Sequence, residues 1–481
     1  MSTIDPNALH LENWKEKLGS AEQMIPLVGR LYRDNSVAIR IYGRRILNNS
    51  AIEIIKAHRF ARQMVGEELD ISKSLKLAQI MAGMDLAPAR VDLGKLCYRF
   101  MQDGGDPEAF LNEQLASINT GKGDFLKEPQ DIVLYGFGRI GRLLARILIE
   151  RLGSGNKMRL RAIVVRGGKK GDLRKRASLL RRDSVHGTFK GTITVDEEES
   201  AIIANGVYIK VIYAKSPSDV NYQDYEINNA LVVDNTGMWR DEESLAQHIQ
   251  CPGVSKVILT APGKGNIKNI VYGVNHDDIE PSDTILSAAS CTTNAITPVL
   301  KAINDEFGIN NGHVETIHSY TNDQNLTDNY HHGDRRGRSA ALNMVLTTTG
   351  AAKAVAKCLP ELKGKLTANA LRVPTPNVSM AIMNLNLGRE TSKKEVNDYL
   401  RNISLNSPLQ DQIDYETSSE LASCDLVGSP HAGVVDSLAT IVAGDRLVLY
   451  VWYDNEYGYT TQVIRMMQDV VGLRLPNVPA N

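Results

Sequence analysis

The rhythm of apolar and polar positions changes twice along this chain of 481 residues. Up to about residue 120, apolar side chains recur mostly three or four apart, the spacing of one helix face. Ile52, Ile54, Ile55, Ala57, Phe60, Ala61, Met64 and Val65 are the clearest such run, and Ser50 stands where a hydroxyl caps a first turn. Asp106, Pro107 and Glu108 combine a cap, a proline at the first helical position and a first-turn acid, which predicts a short helix through Leu115. No strand alternation or repeat shows in this stretch, so an all-α N-terminal domain is expected within residues 1–128, with a Gly-containing linker at 120–124 near its end. After it, short apolar runs at 131–135, 160–165, 231–234 and 256–260 alternate with helical ones such as 139–151, the signature of a parallel α/β sheet. From about residue 312 the strand-like runs lengthen and alternate, as in 378–387 and 437–454, which predicts an α+β domain on an antiparallel sheet.

Composition narrows this picture little. A net charge of -1 gives no global attraction to nucleic acid or to an anionic membrane surface. Cys97, Cys251, Cys291, Cys358 and Cys424 are odd in number and show no paired spacing, which argues against a disulfide framework or zinc site and fits a reducing cytoplasm. The first residues lack the basic and apolar regions of a secretory signal, and no apolar run reaches the ~20 residues of a membrane span. Arg30, Arg33, Arg40, Arg44 and Arg45 form a basic cluster opposed only by Asp34, read as a solvated helix face rather than an anion patch.

Two segments carry chemistry. Ile132, Val133, Leu134 and Tyr135 run directly into Gly136-Phe137-Gly138-Arg139-Ile140-Gly141, and Leu143, Leu144, Ile147 and Leu148 follow at helical spacing. A glycine fingerprint between a strand and an amphipathic helix is the context that binds a dinucleotide. Gly136 allows the turn, Gly138 the approach of a pyrophosphate, and Gly141 close helix–strand packing. The next strand should end in an acid for the ribose of NAD. It ends instead at Arg166-Gly-Gly-Lys169-Lys170, with no acid before Asp172, so NADP is expected to be accepted alongside NAD. The second segment is Ser287-Ala-Ala-Ser-Cys291-Thr-Thr-Asn294, ahead of the helix-compatible run 295–307. A thiol at a helix start meets the positive end of the dipole, which favours the thiolate. Free cysteines are more often simply buried, and Pro298 predicts a kink or a start later than Ala295.

With both segments located, the chain resembles the phosphorylating glyceraldehyde-3-phosphate dehydrogenases from about residue 129 to its end. The resemblance rests on Gly136 to Arg142, Asp183-Ser-Val-His-Gly187, Asn235-Thr-Gly237, Ser290-Cys-Thr-Thr-Asn294, His318-Ser-Tyr-Thr321, Thr349-Gly-Ala-Ala-Lys-Ala354, Arg372-Val-Pro-Thr-Pro-Asn-Val-Ser379 and Trp452-Tyr-Asp-Asn-Glu-Tyr-Gly-Tyr459, in the family's order. It implies a Rossmann domain at 129–290 completed by 455–481, and a catalytic domain at 291–454. It implies that Cys291 attacks the aldehyde, that His318 raises its thiolate fraction and serves as base, and that inorganic phosphate releases the resulting thioester. By the same resemblance Thr321, Asp323 and Arg372 form the substrate-phosphate site; since Asp323 cannot accept a proton from a fully ionised phosphate, its expected job is to orient Arg372 or the substrate through other groups. Ser290, Thr292, Arg336, Thr349 and Gly350 bind the inorganic one. Phe137, Arg139, Ile140, Thr236, Gly237, Thr260, Asn455 and Tyr459 join the glycines and Arg166 at the cofactor, with Asn455 on the nicotinamide carboxamide.

The loop 322–343, with Asn325, Tyr330, His331, His332, Arg335, Arg336 and Arg338, resembles the family's subunit-packing loop and implies a homotetramer. No metal is expected from the adjacent His331 and His332. Three features depart from the family: the segment 1–128, Tyr135 in place of the usual Asn together with the missing acid, and Ala295 where many members carry a second cysteine. Oxidation of erythrose 4-phosphate without phosphate, and a regulatory or scaffold role for the N-terminal domain, stand as alternatives.

Overall fold

The computed structural model describes residues 6–121, 126, 128–152, 158–168 and 170–480. Residues 122–124 of the expected linker and Lys169 lie outside them. The chain forms two compact units.

The first unit gathers the chain up to Pro129 with the C-terminal segment from Leu473. Its helices are α1 (Pro6–Asn35), α2 (Ala51–Val65), α3 (Ile71–Met81), α4 (Leu93–Asp103) and α5 (Pro107–Gln114). Helix α2 forms as its spacing predicts. Ser50 and Glu53 close a capping box, Ile54, Ile55, Ala57, Ala61 and Met64 are buried, and Gly66 ends it at φ 85°.

The unit is not all-α. Ala38–Ile41 (β1) pairs antiparallel with Arg44–Arg45 (β2) and parallel with Arg90–Asp92 (β3), and Asn477–Val478 adds in parallel to β3. Strands this short show no alternation in the sequence. Val478 is buried among the same apolar residues as Ile39, Ile41 and Val91. Burial of that side chain accounts for the division of the expected 455–481 segment, whose last residues belong here and not with the dinucleotide domain. The basic cluster is likewise not one solvated helix face. The Arg44 guanidinium lies 3.4 Å from the Phe60 ring centroid, and that of Arg45 lies 4.6 Å from that of Tyr32.

The second unit comprises Gln130–Arg151 and Met158–Gly472. Strands β4 (Gln130–Tyr135), β5 (Met158–Val165), β6 (Val207–Tyr213), β7 (Ala230–Asp234), β8 (Val254–Leu259) and β9 (Ile285–Ser287) run parallel in the order β9-β8-β7-β4-β5-β6. The chain leaves β4 toward β5 and β6, then returns to build β7, β8 and β9 on the other side. A crevice between β4 and β7 at their C-terminal ends is where such sheets take ligands. Helices α6 (Arg139–Glu150), α7 (Asp172–Arg181) and α8 (Glu242–Ile249) belong to this sheet.

After α9 (Cys291–Phe307) come β10 (Ile309–Ser319), α10 (Ala351–Cys358), β11 (Leu366–Val373), β12 (Ser379–Leu387), α11 (Lys393–Asn406), β13 (Arg446–Tyr453) and α12 (Tyr457–Val470). In the second large sheet the order runs β11-β10-β12-β13. The expected antiparallel pairing holds for β10–β12 and β12–β13, whereas β10 and β11 are parallel because α10 carries the chain back between them. The run 437–454 divides into Ile441–Ala443 and β13 around Gly444 at φ 67°. No described helix is long and apolar enough to cross a membrane.

Candidate active site

Helix α9 starts at Cys291 itself, earlier than Pro298 suggested, and runs unbroken through that proline. An interior proline costs about 3 kcal/mol. Every residue from Thr292 to Leu300 is buried, so packing on all sides offsets the loss. Ser290 is the cap, its Oγ accepting the Thr293 N–H at 3.1 Å. The thiol therefore sits at the first position of the helix, against unshared backbone N–H groups.

His318 lies near the end of β10, and the parallel register sets it beside Arg372 of β11. His318 Nε2 is 3.5 Å from Cys291 Sγ, and Nδ1 is 2.6 Å from the Ser319 carbonyl oxygen. A carbonyl only accepts, so the shorter Ser319 contact favours the proton on Nδ1 and a lone pair on Nε2 toward the thiol, against Arg372 Nη1, a donor 2.9 Å from Nδ1. Arg372 Nη1 also reaches that carbonyl, at 2.9 Å, and donates to Thr321 Oγ1 at 3.2 Å. Its buried Nε has no hydrogen-bond partner among the described residues.

Burial pushes the Cys291 thiol up, against the nearby Arg372 charge and the Thr292 hydroxyl and backbone, which pull it down. Burial and Arg372 together hold His318 down, to about 4. Burial thus opposes the thiolate, while Arg372, Thr292 and the helix start favour it.

The residues expected at the anion sites fall around this pair. Asp323 bonds Thr321 and Arg336, the latter at 2.8 Å, and has no hydrogen bond to Arg372, whose charge nonetheless helps hold its carboxyl low. Arg336 Nε and Nη2 both donate to Thr347 Oγ1, at 3.1 and 3.0 Å. Thr292 Oγ1 meets the Tyr453 hydroxyl at 2.9 Å. Thr349 and Gly350 form the start of α10, with Thr349 Oγ1 accepting the Ala351 N–H, and no hydrogen bond joins them to Cys291 or His318. Thr347 lies outside every motif of the sequence reading, and Tyr453 lies inside the segment 452–459 but was given no role there.

The glycine fingerprint fits a dinucleotide. Gly136 adopts φ 93° at the end of β4, and a Cβ on Gly141 would stand 2.4 Å from the Gly136 carbonyl oxygen. A Cβ on Gly138 would meet nothing within 4 Å, and no side chain caps the first turn of α6, which leaves its N–H groups to an anion. Phe137 is buried, Ile140 is in α6, and Gly237 turns at φ 62°. Thr236 gives its N–H and hydroxyl to Asp234 Oδ1, and the Thr260 hydroxyl bonds the Asp234 carbonyl.

Other side chains here are structural in their contacts. Arg139 is held by Asp183 and Glu456, and Glu456 also meets His186 Nε2 at 2.9 Å. Asp234 Oδ2 is 3.1 Å from His248 Nε2, both fully buried, and the Tyr135 ring lies edge-on to His248 with centroids 4.7 Å apart. Tyr459 donates to the Ala289 carbonyl at 3.1 Å, and Asn455 Oδ1 is 2.9 Å from Ser379 Oγ. His331 and His332 stack on each other, and the described residues hold no group of three or more metal-ligating side chains.

Residues 290–455 match the family described as glyceraldehyde 3-phosphate dehydrogenase, C-terminal domain, and residues 130–242 match its NAD binding domain. A glyceraldehyde-3-phosphate dehydrogenase-like protein of Pseudomonas aeruginosa is 59% identical over 460 residues, 95% of this chain and all of that one. That span is too long to exclude the N-terminal segment. Glyceraldehyde-3-phosphate dehydrogenase 2 of Trichormus variabilis is 40% identical over 339 residues, 70% of this chain and 97% of its own. The chloroplastic A form of Zea mays is 41% identical over 336 residues, 69% of this chain and 80% of its own. A thiol and imidazole in contact beside a dinucleotide crevice, in a chain with these relatives, make it a member of the glyceraldehyde 3-phosphate dehydrogenase family.

Proposed function

We propose that this protein oxidises glyceraldehyde 3-phosphate and phosphorylates the product to 1,3-bisphosphoglycerate, reversibly, through a thioester on Cys291. The contact of Cys291 Sγ with His318 Nε2, backed by Arg372, carries this reading. His318 takes the thiol proton as sulfur adds to the aldehyde carbon. The carbonyl oxygen of the adduct is protonated and later gives that proton back to Nε2. Bound NAD or NADP supplies the acceptor for the hydride that leaves the adduct carbon. Phosphate then attacks the thioester carbon, and the Cys291 thiolate departs.

Arg372 and Thr321 hold the substrate phosphate, with Asp323 bonded to Thr321. Ser290, Thr292, Arg336, Thr349 and Gly350 receive the attacking phosphate, and Thr347 steadies Arg336. Exposed apolar side chains at Leu326, Tyr330, Leu342 and Met344 support subunit packing through this loop, in a homotetramer. Steady-state rates with and without inorganic phosphate test the reaction. Turnover of glyceraldehyde 3-phosphate is expected to require phosphate, and a rate independent of it sinks the reading.

NADP is proposed as a cofactor beside NAD. Asp172 stands against Gly168, where it could repel a 2′-phosphate, but Arg176 is paired with it. Arg166 follows β5 directly, and among the described residues its only hydrogen-bond partner is Met238 Sδ, at 2.9 Å. A neutral sulfur is a weak competitor for a phosphate. Arg166→Asp is expected to lower kcat/KM for NADP by about 10- to 100-fold while sparing NAD, the range of a lost charge-assisted bond. Equal kinetics with NADP before and after the change would refute this assignment.

A further inference from the structure

Ser379 is the first residue of β12, the strand between β10 and β13. Those neighbours end at two different parts of the site. Strand β10 ends at His318 and Ser319, and β13 leads into Asp454 and Asn455. The register sets Ser379 opposite Tyr453 on one side, and Met380 opposite Ile317 on the other. Ser379 therefore touches both strand ends, and it is 1% exposed.

Its hydroxyl lies 3.0 Å from the Ser319 backbone nitrogen and 2.9 Å from Asn455 Oδ1. The chemistry of the donors sets the direction. A backbone N–H only donates, so Ser379 Oγ accepts from Ser319; its single hydrogen has Asn455 Oδ1 and the Tyr453 hydroxyl in reach, and the amide oxygen is the stronger acceptor. Asn455 Oδ1 is then held toward the sheet, and the amide hydrogens on Nδ2 point away from it. Nδ2 makes no hydrogen bond to any described residue. The strand end is itself anchored, since Val378, at φ 64°, receives the Ser319 hydroxyl on its carbonyl at 2.9 Å.

We propose that Ser379 is a positioning residue that fixes the amide of Asn455 as a hydrogen-bond donor toward the nicotinamide end of the cofactor. It ties that orientation to the strand carrying His318. The proposal rests on the reading of Asn455 as the residue that holds the carboxamide. Without Ser379, the amide is free to present either end, and part of the bound population meets the carboxamide oxygen with an oxygen of its own.

The test measures equilibrium binding of NAD and NADP to the full-length apoenzyme by calorimetry, for wild type, Ser379→Ala, Asn455→Ala and the double variant. The rate of Cys291 alkylation by iodoacetamide is followed in the same preparations, with thermal melting as a check on folding. Ser379→Ala is expected to weaken cofactor binding about three- to tenfold, the range of one net hydrogen bond. Asn455→Ala is expected to weaken it at least as much, the double variant no more than Asn455→Ala alone, and alkylation to stay within about twofold of wild type. Additive losses would show that Ser379 does not act through Asn455 and overturn the proposal alone. Alkylation slowed in step with binding would make Ser379 a mere support for β10 and overturn it too. Unchanged affinity in Asn455→Ala brings down the underlying reading, and the proposal with it.

Discussion

Cys291→Ser is expected to lower kcat/KM about 10⁴-fold or more, the order seen when a covalent nucleophile is removed. Serine fits the site, since Ser290 already caps the helix from the preceding position and the replaced atom is small. What changes is the reactivity. A hydroxyl is far harder to ionise than a thiol, and His318, held down to about 4, is too weak a base to compensate. His318→Gln is expected to cost about 10²- to 10⁴-fold, the usual range for a general base. The two substitutions together are expected to cost little more than Cys291→Ser, because both groups act in one step. Single-turnover reduction of the cofactor, with the acyl-enzyme trapped and mapped to its residue, is the decisive measurement. Retention of a tenth of wild-type turnover by Cys291→Ser would end the covalent mechanism.

The residues of that step were legible in the sequence because each lies within a short, chemically distinctive segment. The glycine fingerprint shows why such a reading works. Gly136 and Gly141 are needed for local reasons, a left-handed turn and a contact only a hydrogen can make, and local reasons leave local marks. The long amphipathic helices were visible likewise, as α2 and α6 bury the faces their spacing predicts.

The small N-terminal sheet left no such mark. Its strands are two to four residues long, Arg40 faces Arg45 across the hairpin, and one strand arrives from residue 477. Pairing between segments so distant is decided by the buried face they make together, which no window of sequence contains. Thr347 left no mark either, and the segments that contain Tyr453 and Ser379 do not say which neighbours those two meet. Each is an ordinary polar residue that matters because of the neighbour the sheet register gives it. Asp323 illustrates the remaining gap, since the motif named it but only the structure shows Arg336 as its partner. Sequence spacing also placed a proline where a helix ought to bend, and complete burial of the surrounding turns prevailed over that local preference.

Arg372→Leu is the second large effect. The guanidinium contacts the Ser319 carbonyl and Thr321, stands 2.9 Å from His318 Nδ1, and keeps a buried Nε with no partner among the described residues. A buried cation with a spare donor is costly unless an anion arrives to use it. The substrate phosphate is that anion in the proposed reaction. Loss of two charge-assisted bonds, at about 1.5–3 kcal/mol each, predicts a fall of roughly 10²- to 10⁴-fold in kcat/KM for glyceraldehyde 3-phosphate. The loss should be much smaller for unphosphorylated glyceraldehyde, and that comparison separates anion binding from damage to the fold.

Arg372 also acts on the catalytic pair, and the sign is fixed by its charge. It pulls the Cys291 thiol down and holds His318 down. Its removal raises both, so at pH 7 the thiolate fraction falls and alkylation of Cys291 in the apoenzyme slows. Arg372→Lys keeps the charge without the planar fork, so it is expected to restore the alkylation rate more fully than it restores substrate affinity. A leucine variant with an unchanged KM for the phosphorylated aldehyde would show that the phosphate binds elsewhere. An unchanged alkylation rate would show that the cation does not reach the thiol. The two measurements thus test separately the two roles proposed for the side chain that the register of β10 and β11 sets beside His318.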